Sequence, residues 1–417
     1  MAGTPIAVVG ARNVADITQV DRVRNVSPVV LMLQDDRKNL MTYLQGLGTE
    51  STDNYEYETI LDEIVPHRGT TGAALAAASG IPAAGVDLAT TNVDLSGQTA
   101  QVYLRIDEQI LIPATGEIMR VVAPVTAMNA VPVARNTNGL AAAGTAVGAG
   151  GSLWINIGDA REGNSRLFDN ATSGPTLQAV TVNNSFQSNY TQTFREPFGL
   201  SRREAKSNNY SGKDEATQKT KKLMEHCQKI EHAFWFGEKM LKGKERTTTR
   251  GALNYLALSG NVTAVPTLTQ VAFDTFVRKT TRYGDRKKRV LFCSRFVAEK
   301  ISQWAYGQQR VESLGESVKY GVAIESIRTA GGCRVDIVTV DALEGLPGSS
   351  TLGTYDGYAA LMDMSGKKKV VFGGDDLKYA EGVQFNDQDG KVNAYLSDVG
   401  YKPGDQRKDG LITGVTA

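Results

Sequence analysis

The side chains best equipped for chemistry cluster in one stretch, LMEHCQKIEH, which holds His226, Cys227 and His232, two of the chain's three histidines and one of its three cysteines. Imidazoles and thiolates are the usual ligands of zinc. The spacing works against that use. On a helix, residues six positions apart lie about 240° around the axis, so the two imidazoles cannot close on one ion. Ordinary core and surface roles are expected instead. His67 sits in a Pro-His-Arg-Gly context with no Cys or His neighbour, as a loop residue rather than a general base. No G-x-S-x-G, Walker or G-x-G-x-x-G pattern followed by a helix is present, so the small-residue run Gly139 to Gly151 reads as a linker and not a phosphate cradle. NDQDG, Asn386 to Gly390, resembles a calcium loop but lacks the third ligand pair and the closing Glu, and reads as a hairpin turn. No catalytic, metal or cofactor site is assigned.

Three basic groups remain: Arg286 to Arg289, Lys367 to Lys369, and the stretch Lys206 to Arg250 with eleven Lys or Arg against six Asp or Glu. Such faces could lie against polyphosphate, with Lys219, Lys222, Arg286, Lys287, Lys288, Lys367 and Lys368 as the DNA-facing candidates. Interleaved aromatics at stacking spacing are missing, so base recognition is not expected, and a solvated face or a neighbour's acidic patch ranks ahead of DNA contact. The whole chain is balanced, 46 Lys and Arg against 45 Asp and Glu, so no global field draws it to nucleic acid or membrane. Three widely spaced cysteines fit reduced, mostly buried thiols. The start MAGTPIAVVGARN has no basic leader, and no segment approaches the ~20 apolar residues of a membrane span, which reads as cytosolic and soluble.

At 417 residues, two or three lobes are expected. The chain has no lysine between Lys38 and Lys206, and only 14 of the 120 residues from Pro66 to Ser185 are charged. Alternating stretches there, QVYLRIDEQILI and EIMRVVAPV, predict strands, and the Gly/Ala runs predict mobile connections, which together make a β-rich arm. Before it, Ser27, Pro28 and Gly48 mark the ends of an N-terminal helix, and NYEYETILDEIVP reads as a strand. The longest helix is expected after Ser211, with an apolar line through Ala216, Thr220, Leu223, Cys227, Ile230, Phe234, Gly237 and Leu241. About 30 residues would make a rod of roughly 45 Å. Glu215/Lys219, Glu225/Lys229 and Glu238/Lys242 are expected as outer i,i+4 pairs. Two shorter helices flanking the strand KRVLFCS, a hairpin turning at Ala330-Gly331-Gly332, and C-terminal strands returning beneath the long helix complete a mixed α+β chain.

This order of parts resembles the major capsid protein of tailed bacteriophages, with the Hong Kong phage 97 type of fold. The resemblance lies in NYTQTF (Asn189, Gln192, Phe194), in QKIEHAFWFGE (Ile230, Glu231, Ala233, Gly237) and in RTTTRGALNYL (Arg246 or Arg250, Gly251). In the arm it lies in GEIMRVV, PVAR and DAREG, through Glu117, Arg135 and Glu162; SPVVLMLQ is similar to the family's N-terminal helix start. Tyr57 departs from it, standing where relatives often carry Trp. The resemblance implies an N-arm (1–53), an extended loop with β-rich insertion (54–190), a peripheral domain with the spine helix (191–261), an axial domain (262–365) and C-terminal strands returning to the peripheral domain (366–417). Its matching residues become inter-subunit or fold-defining candidates.

It also implies a non-enzymatic subunit of an icosahedral head around double-stranded DNA, assembled from hexamers and pentamers in the host cytoplasm. The expected partners are itself, a portal, scaffolding or decoration proteins and non-specifically bound DNA, without cofactor or membrane. Some relatives join a loop lysine to a neighbour's asparagine; an arm without lysine cannot. An encapsulin-type compartment, a soluble enzyme using carboxylates such as Asp376 or Glu162, and a β-rich adhesin or tail component are the competing readings.

Overall fold

The computed structural model describes residues 39–62, 67–74, 91–97, 104–137, 151–159, 184–207, 214–243, 246–306, 326–345, 353, 355–387 and 389–416. Glu162, Ser27, Pro28, Ser211 and most of both Gly/Ala runs lie outside these residues. The helices in chain order are α1 (Asn39–Gly46), α2 (Arg202–Lys206), α3 (Asp214–Phe236), α4 (Ala252–Ala257), α5 (Gln270–Thr280) and α6 (Arg295–Tyr306). Strands outnumber them, giving a mixed α+β architecture. The chain divides into two compact units, Ile60–Phe186 and the remainder.

The Ile60–Phe186 unit falls within the segment assigned to an extended loop. It holds an antiparallel six-stranded sheet in the order Arg68–Thr70, Leu153–Asp159, Glu108–Ile112, Glu117–Val121, Val131–Ala134, Thr91–Val93. Alternation does what the sequence pattern implies: Glu117, Met119 and Val121 turn inward while Ile118 and Arg120 are only half-buried. The core gathers Ile110, Ile112, Met119, Val131, Val133 and Trp154. Trp154 lies so close over Gly69 that a Cβ there would stand 2.7 Å from its ring, and its indole N–H donates to the Thr70 carbonyl at 3.2 Å.

Two sheets build the larger unit. One runs Thr49–Thr52, Lys368–Phe372, Gly390–Lys402, Gln192–Ser201, with Lys378–Ala380 also on Gly390–Lys402. The other runs Val262–Ala264, Gly410–Thr413, Ala359–Met362, Lys288–Cys293, Arg334–Thr339, Ser326–Arg328. Lys288–Cys293 is paired on both edges, and its continuous run Arg289 to Cys293 is buried throughout. The hairpin turn at 330–332 and the two helices flanking this strand appear as the pattern implied. The C-terminal strands part: Gly390–Lys402 packs on α3, Lys368–Phe372 joins the same sheet, and Gly410–Thr413 joins the second sheet.

α3 is shorter than its apolar stripe. Its 23 described residues span about 35 Å, and it stops at Phe236, so Gly237 and Leu241 are not helical. Its buried face is His226, Cys227, Ile230, Glu231, Phe234 and Trp235, while Ala216 and Thr220 are exposed. Glu238 and Lys242 lie beyond the end of α3, and the other two expected i,i+4 ion pairs give way to other partners. Glu215 pairs with Lys391 at 3.0 Å, Glu225 with Lys222 at 2.5 Å, and Lys229 with Glu196 across on strand Gln192–Ser201. Strand side chains reach α3 and offer carboxylates and ammoniums that compete with neighbours one helical turn away. All three cysteines are free and buried.

Glu117 and Arg135, matched separately in the sequence, meet as a two-pronged pair. Nε and Nη2 of Arg135 donate to the two carboxylate oxygens at 2.8 and 2.7 Å, and the Asn136 amide adds a third bond at 3.1 Å. Both side chains are buried. Removing one partner strands a charge in the sheet, whereas replacing both by apolar residues does not. Arg135→Met should cost about 3 to 5 kcal/mol. The double variant Glu117→Leu/Arg135→Met should cost less than that single change, as read from denaturation midpoints.

Candidate functional site

Where the chain leaves α3 it must turn back on itself within a few residues. Gly237 accepts this because nothing else fits: a Cβ there would stand 2.3 Å from the Thr249 carbonyl oxygen and 2.4 Å from that of Ala233. Gly251, the residue before α4, is crowded from the other side, with the Gly237 nitrogen 2.7 Å from its missing Cβ. The two glycines are bonded, Gly251 N–H donating to the Gly237 carbonyl at 2.8 Å, and the Asn254 side chain donates to the same oxygen at 2.6 Å. The matched glycines thus mark one backbone contact.

Asn189 holds the other side of this turn. Its Nδ2 donates to the Tyr401 carbonyl at 2.8 Å, the Thr249 hydroxyl at 3.1 Å and the Arg250 carbonyl at 3.2 Å, while its Oδ1 accepts from the Arg250 amide at 2.8 Å and the Tyr190 amide at 2.9 Å. Gln192 Oε1 accepts from the Thr249 amide at 3.2 Å. Arg250 enters through its backbone, and its guanidinium lies over the Tyr255 ring at 5.3 Å. Tyr57, the residue that departs from the family pattern, donates its hydroxyl to the Tyr401 carbonyl at 2.8 Å. Burial raises the Tyr57 and Tyr401 hydroxyls well above the usual phenol range, so both remain neutral.

Glu231 is fully buried and serves α1. Its two oxygens accept from the Leu40 and Met41 amides at 2.9 and 2.7 Å, and the Trp235 indole donates at 2.9 Å. A helix start offers unpaired amides and a partial positive charge, which a carboxylate satisfies on both counts. Phe194 packs on the same core, with its ring edge to His226.

The rest of the candidates fall into two groups. His226 is buried and its Nε2 lies 2.7 Å from the Ser397 hydroxyl, while His232 is exposed beside Phe236. No group of His, Cys, Asp or Glu able to hold a metal ion occurs among the described residues. Asp376, a carboxylate considered for catalysis, accepts from Lys369 at 2.7 and 2.8 Å and acts as a counter-ion. Lys367 is not available to DNA: its ammonium is buried against Asp409 and the Pro403 carbonyl, each at 2.5 Å. Lys368 faces Glu50 at 3.7 Å, Lys222 is held by Glu225, and Lys219 covers the Tyr379 ring at 3.8 Å. Arg286, Lys287 and Lys288 are exposed, the last paired with Asp336 at 3.1 Å. Sequence spacing missed Thr249, Tyr401 and Ser397, whose roles depend on partners more than 20 residues away.

The Asn189 node is sensitive to one atom. Asn189→Asp keeps the shape but faces an oxygen toward two carbonyls, so it should destabilise the larger unit by about 3 kcal/mol or more, measured by denaturant melting. His226 titrates in a predictable sense. Burial holds it below the usual imidazole range, with Glu196 opposing and Lys229 adding, and its Nδ1 has no hydrogen-bond partner to receive a second N–H. The unfolded chain therefore takes up this proton first, near pH 6.5. The stability contributed by the neutral ring is complete above about pH 6.5 and is lost as pH falls through and below it. His226→Gln should flatten that acid limb in urea midpoints taken across pH.

The family model described as SU10 major capsid protein matches residues 10–416. No curated protein matches the sequence. Among solved structures, the capsid of the native GTA particle covers 97% of this chain and 98% of its own at 9% identity and a TM-score of 0.48. The structure titled Mycobacterium phage Cain covers 98% and 100% at 8% identity and 0.46. The SrpI encapsulin complex from Synechococcus elongatus PCC 7942 covers 56% and 78% at 8% identity and 0.39. No helix of the described residues is long and apolar enough to cross a membrane. With the match running through nearly its whole length, the chain belongs to the SU10 major capsid protein family, and its role is that of a structural capsid subunit.

Proposed function

We propose that this subunit forms hexamers and pentamers of an icosahedral head that encloses double-stranded DNA, assembled in the host cytoplasm with a portal and with scaffolding or decoration proteins. In that reading 1–53 is the N-arm, 54–190 the extended loop, 191–261 the peripheral domain, 262–365 the axial domain and 366–417 the returning C-terminal segment. Glu162, outside the described residues, is an inter-subunit or fold-defining candidate. Asn189, Gln192, Phe194, Glu231, Gly237, Arg250, Gly251, Glu117 and Arg135 would set the subunit's own shape, since their partners lie within the same chain.

The observation that supports assembly is exposed apolar surface on a protein whose cores are otherwise closed. Phe385 is 81% exposed, Phe186 64%, Ile60 61% and Ile157 52%. Large side chains left in water at several separate places fit a subunit that buries them against copies of itself. Each contact can be modest, because closure of a shell makes many act together.

Purified protein should form megadalton particles in negative-stain images, and DNA inside them should resist nuclease, which separates a head from a cargo-enclosing compartment. Because the chain carries no lysine between Lys38 and Lys206, the particles should run as a single monomer band in hot detergent. A small oligomer of fixed size would refute assembly, and a covalent ladder would refute the non-covalent shell.

A further inference from the structure

Several cations of the larger unit are neutralised within the subunit. Lys367 meets Asp409, Lys369 meets Asp376, Arg289 meets Asp363, and Arg295 meets Asp341 and Glu344. One concave surface gathers cations without such partners. The C-terminal half of α5 and the segment after it form a cleft of about 770 Å³ with the hairpin turn at 330–332, lined by Arg278, Lys279, Arg282 and Arg286 and by one acid, Asp274. The same hairpin borders a second concavity of about 630 Å³ that carries Lys287, Arg328 and Arg334 and, among the described residues, no acid.

Of these seven cations only Arg334 has a carboxylate within ion-pair distance among the described residues, Asp336 at 2.8 Å. The negative end of α5 accounts for Arg278 and Lys279 in its last turn. It does not account for Arg282, Arg286, Lys287 or Arg328, which lie beyond it. Like charges gathered in concave surface repel one another and raise the local concentration of anions.

We propose that this double cleft contacts the phosphodiester backbone of packaged DNA without regard to base sequence; the proposal rests on the DNA-enclosing reading above. Four of the six unpaired cations are arginines, whose planar forks match phosphate oxygens in pairs. The turn between the concavities is open: Cβ atoms built on Gly331 and Gly332 would meet nothing within 4 Å, so a phosphate can approach the main chain. Neither concavity has an aromatic ring in its lining among the described residues, which removes base stacking as a source of affinity. A carboxylate-rich face of a neighbouring subunit is the competing occupant.

The test measures binding of full-length, unassembled protein to a short random-sequence DNA duplex across salt concentration. Each phosphate contact contributes about 0.9 to the slope of log affinity against log salt. Arg282→Gln/Arg286→Gln/Arg328→Gln should therefore be shallower than wild type by about 2 to 3. The matching Lys triple at these positions should keep most of the slope. Arg195→Gln/Arg203→Gln/Lys206→Gln, which removes as many exposed charges elsewhere, should leave it unchanged.

An unaltered slope in the cleft triple, or an equal loss in both Gln triples, overturns the proposal. So does a cleft triple that binds DNA like wild type yet no longer forms particles, since that assigns the cleft to a neighbouring subunit. Wild-type protein that never forms particles counts against the assembly reading instead, because the slope comparison is made on unassembled subunits and stands separately.

Discussion

The larger unit depends on satisfying backbone polar groups where α3 ends. A helix of 23 described residues stops inside the protein, and the chain then reverses past Gly251 close enough that neither it nor Gly237 tolerates a Cβ. Burying that reversal is favourable only if its amides and carbonyls find partners. Asn189 meets most of the need, since a single carboxamide offers two donor and two acceptor positions. It bonds Arg250 through both backbone groups and reaches Tyr401 and Thr249 in the same step. Gln192, Thr249 and Tyr57 then complete the turn's surroundings.

Buried charge is used in a similar way, as attachment between elements distant in sequence. Glu231 fixes α1 to α3 by accepting from the first amides of α1. Arg289 reaches Asp363 and the Tyr283 and Lys408 carbonyls from the central strand of the second sheet. Lys367 reaches Asp409, whose other oxygen accepts from the Asp363 amide. Breaking any one would leave an uncompensated group in low dielectric, so these pairs specify geometry even where their net contribution to stability is small. The Ile60–Phe186 unit repeats the device with Glu117 and Arg135.

Surface chemistry follows a different rule. Where Lys368, Lys369 and Lys402 lie near strand ends, carboxylates from other segments answer them. Arg282, Arg286, Lys287 and Arg328 have no carboxylate within ion-pair distance among the described residues, and exposed apolar side chains such as Phe385 and Phe186 stand elsewhere.

How much was legible in advance differs by the range of the interaction. Local signals carried the helices α5 and α6, the strand Lys288–Cys293, the turn at 330–332 and the strands Glu108–Ile112 and Glu117–Val121, because period, turn residues and charge scarcity are properties of short stretches. The resemblance pointed to Asn189, Glu231, Gly237, Gly251, Glu117 and Arg135 without saying what they touch. Only the folded chain decided that Glu117 and Arg135 are one pair, that Glu231 caps α1, that Lys367 is buried, and that α3 ends at Phe236 although its apolar stripe runs on. The reason is physical. A helical stripe constrains which face is buried, but where the helix stops, and which charge meets which, is set by groups brought close from tens to hundreds of residues away.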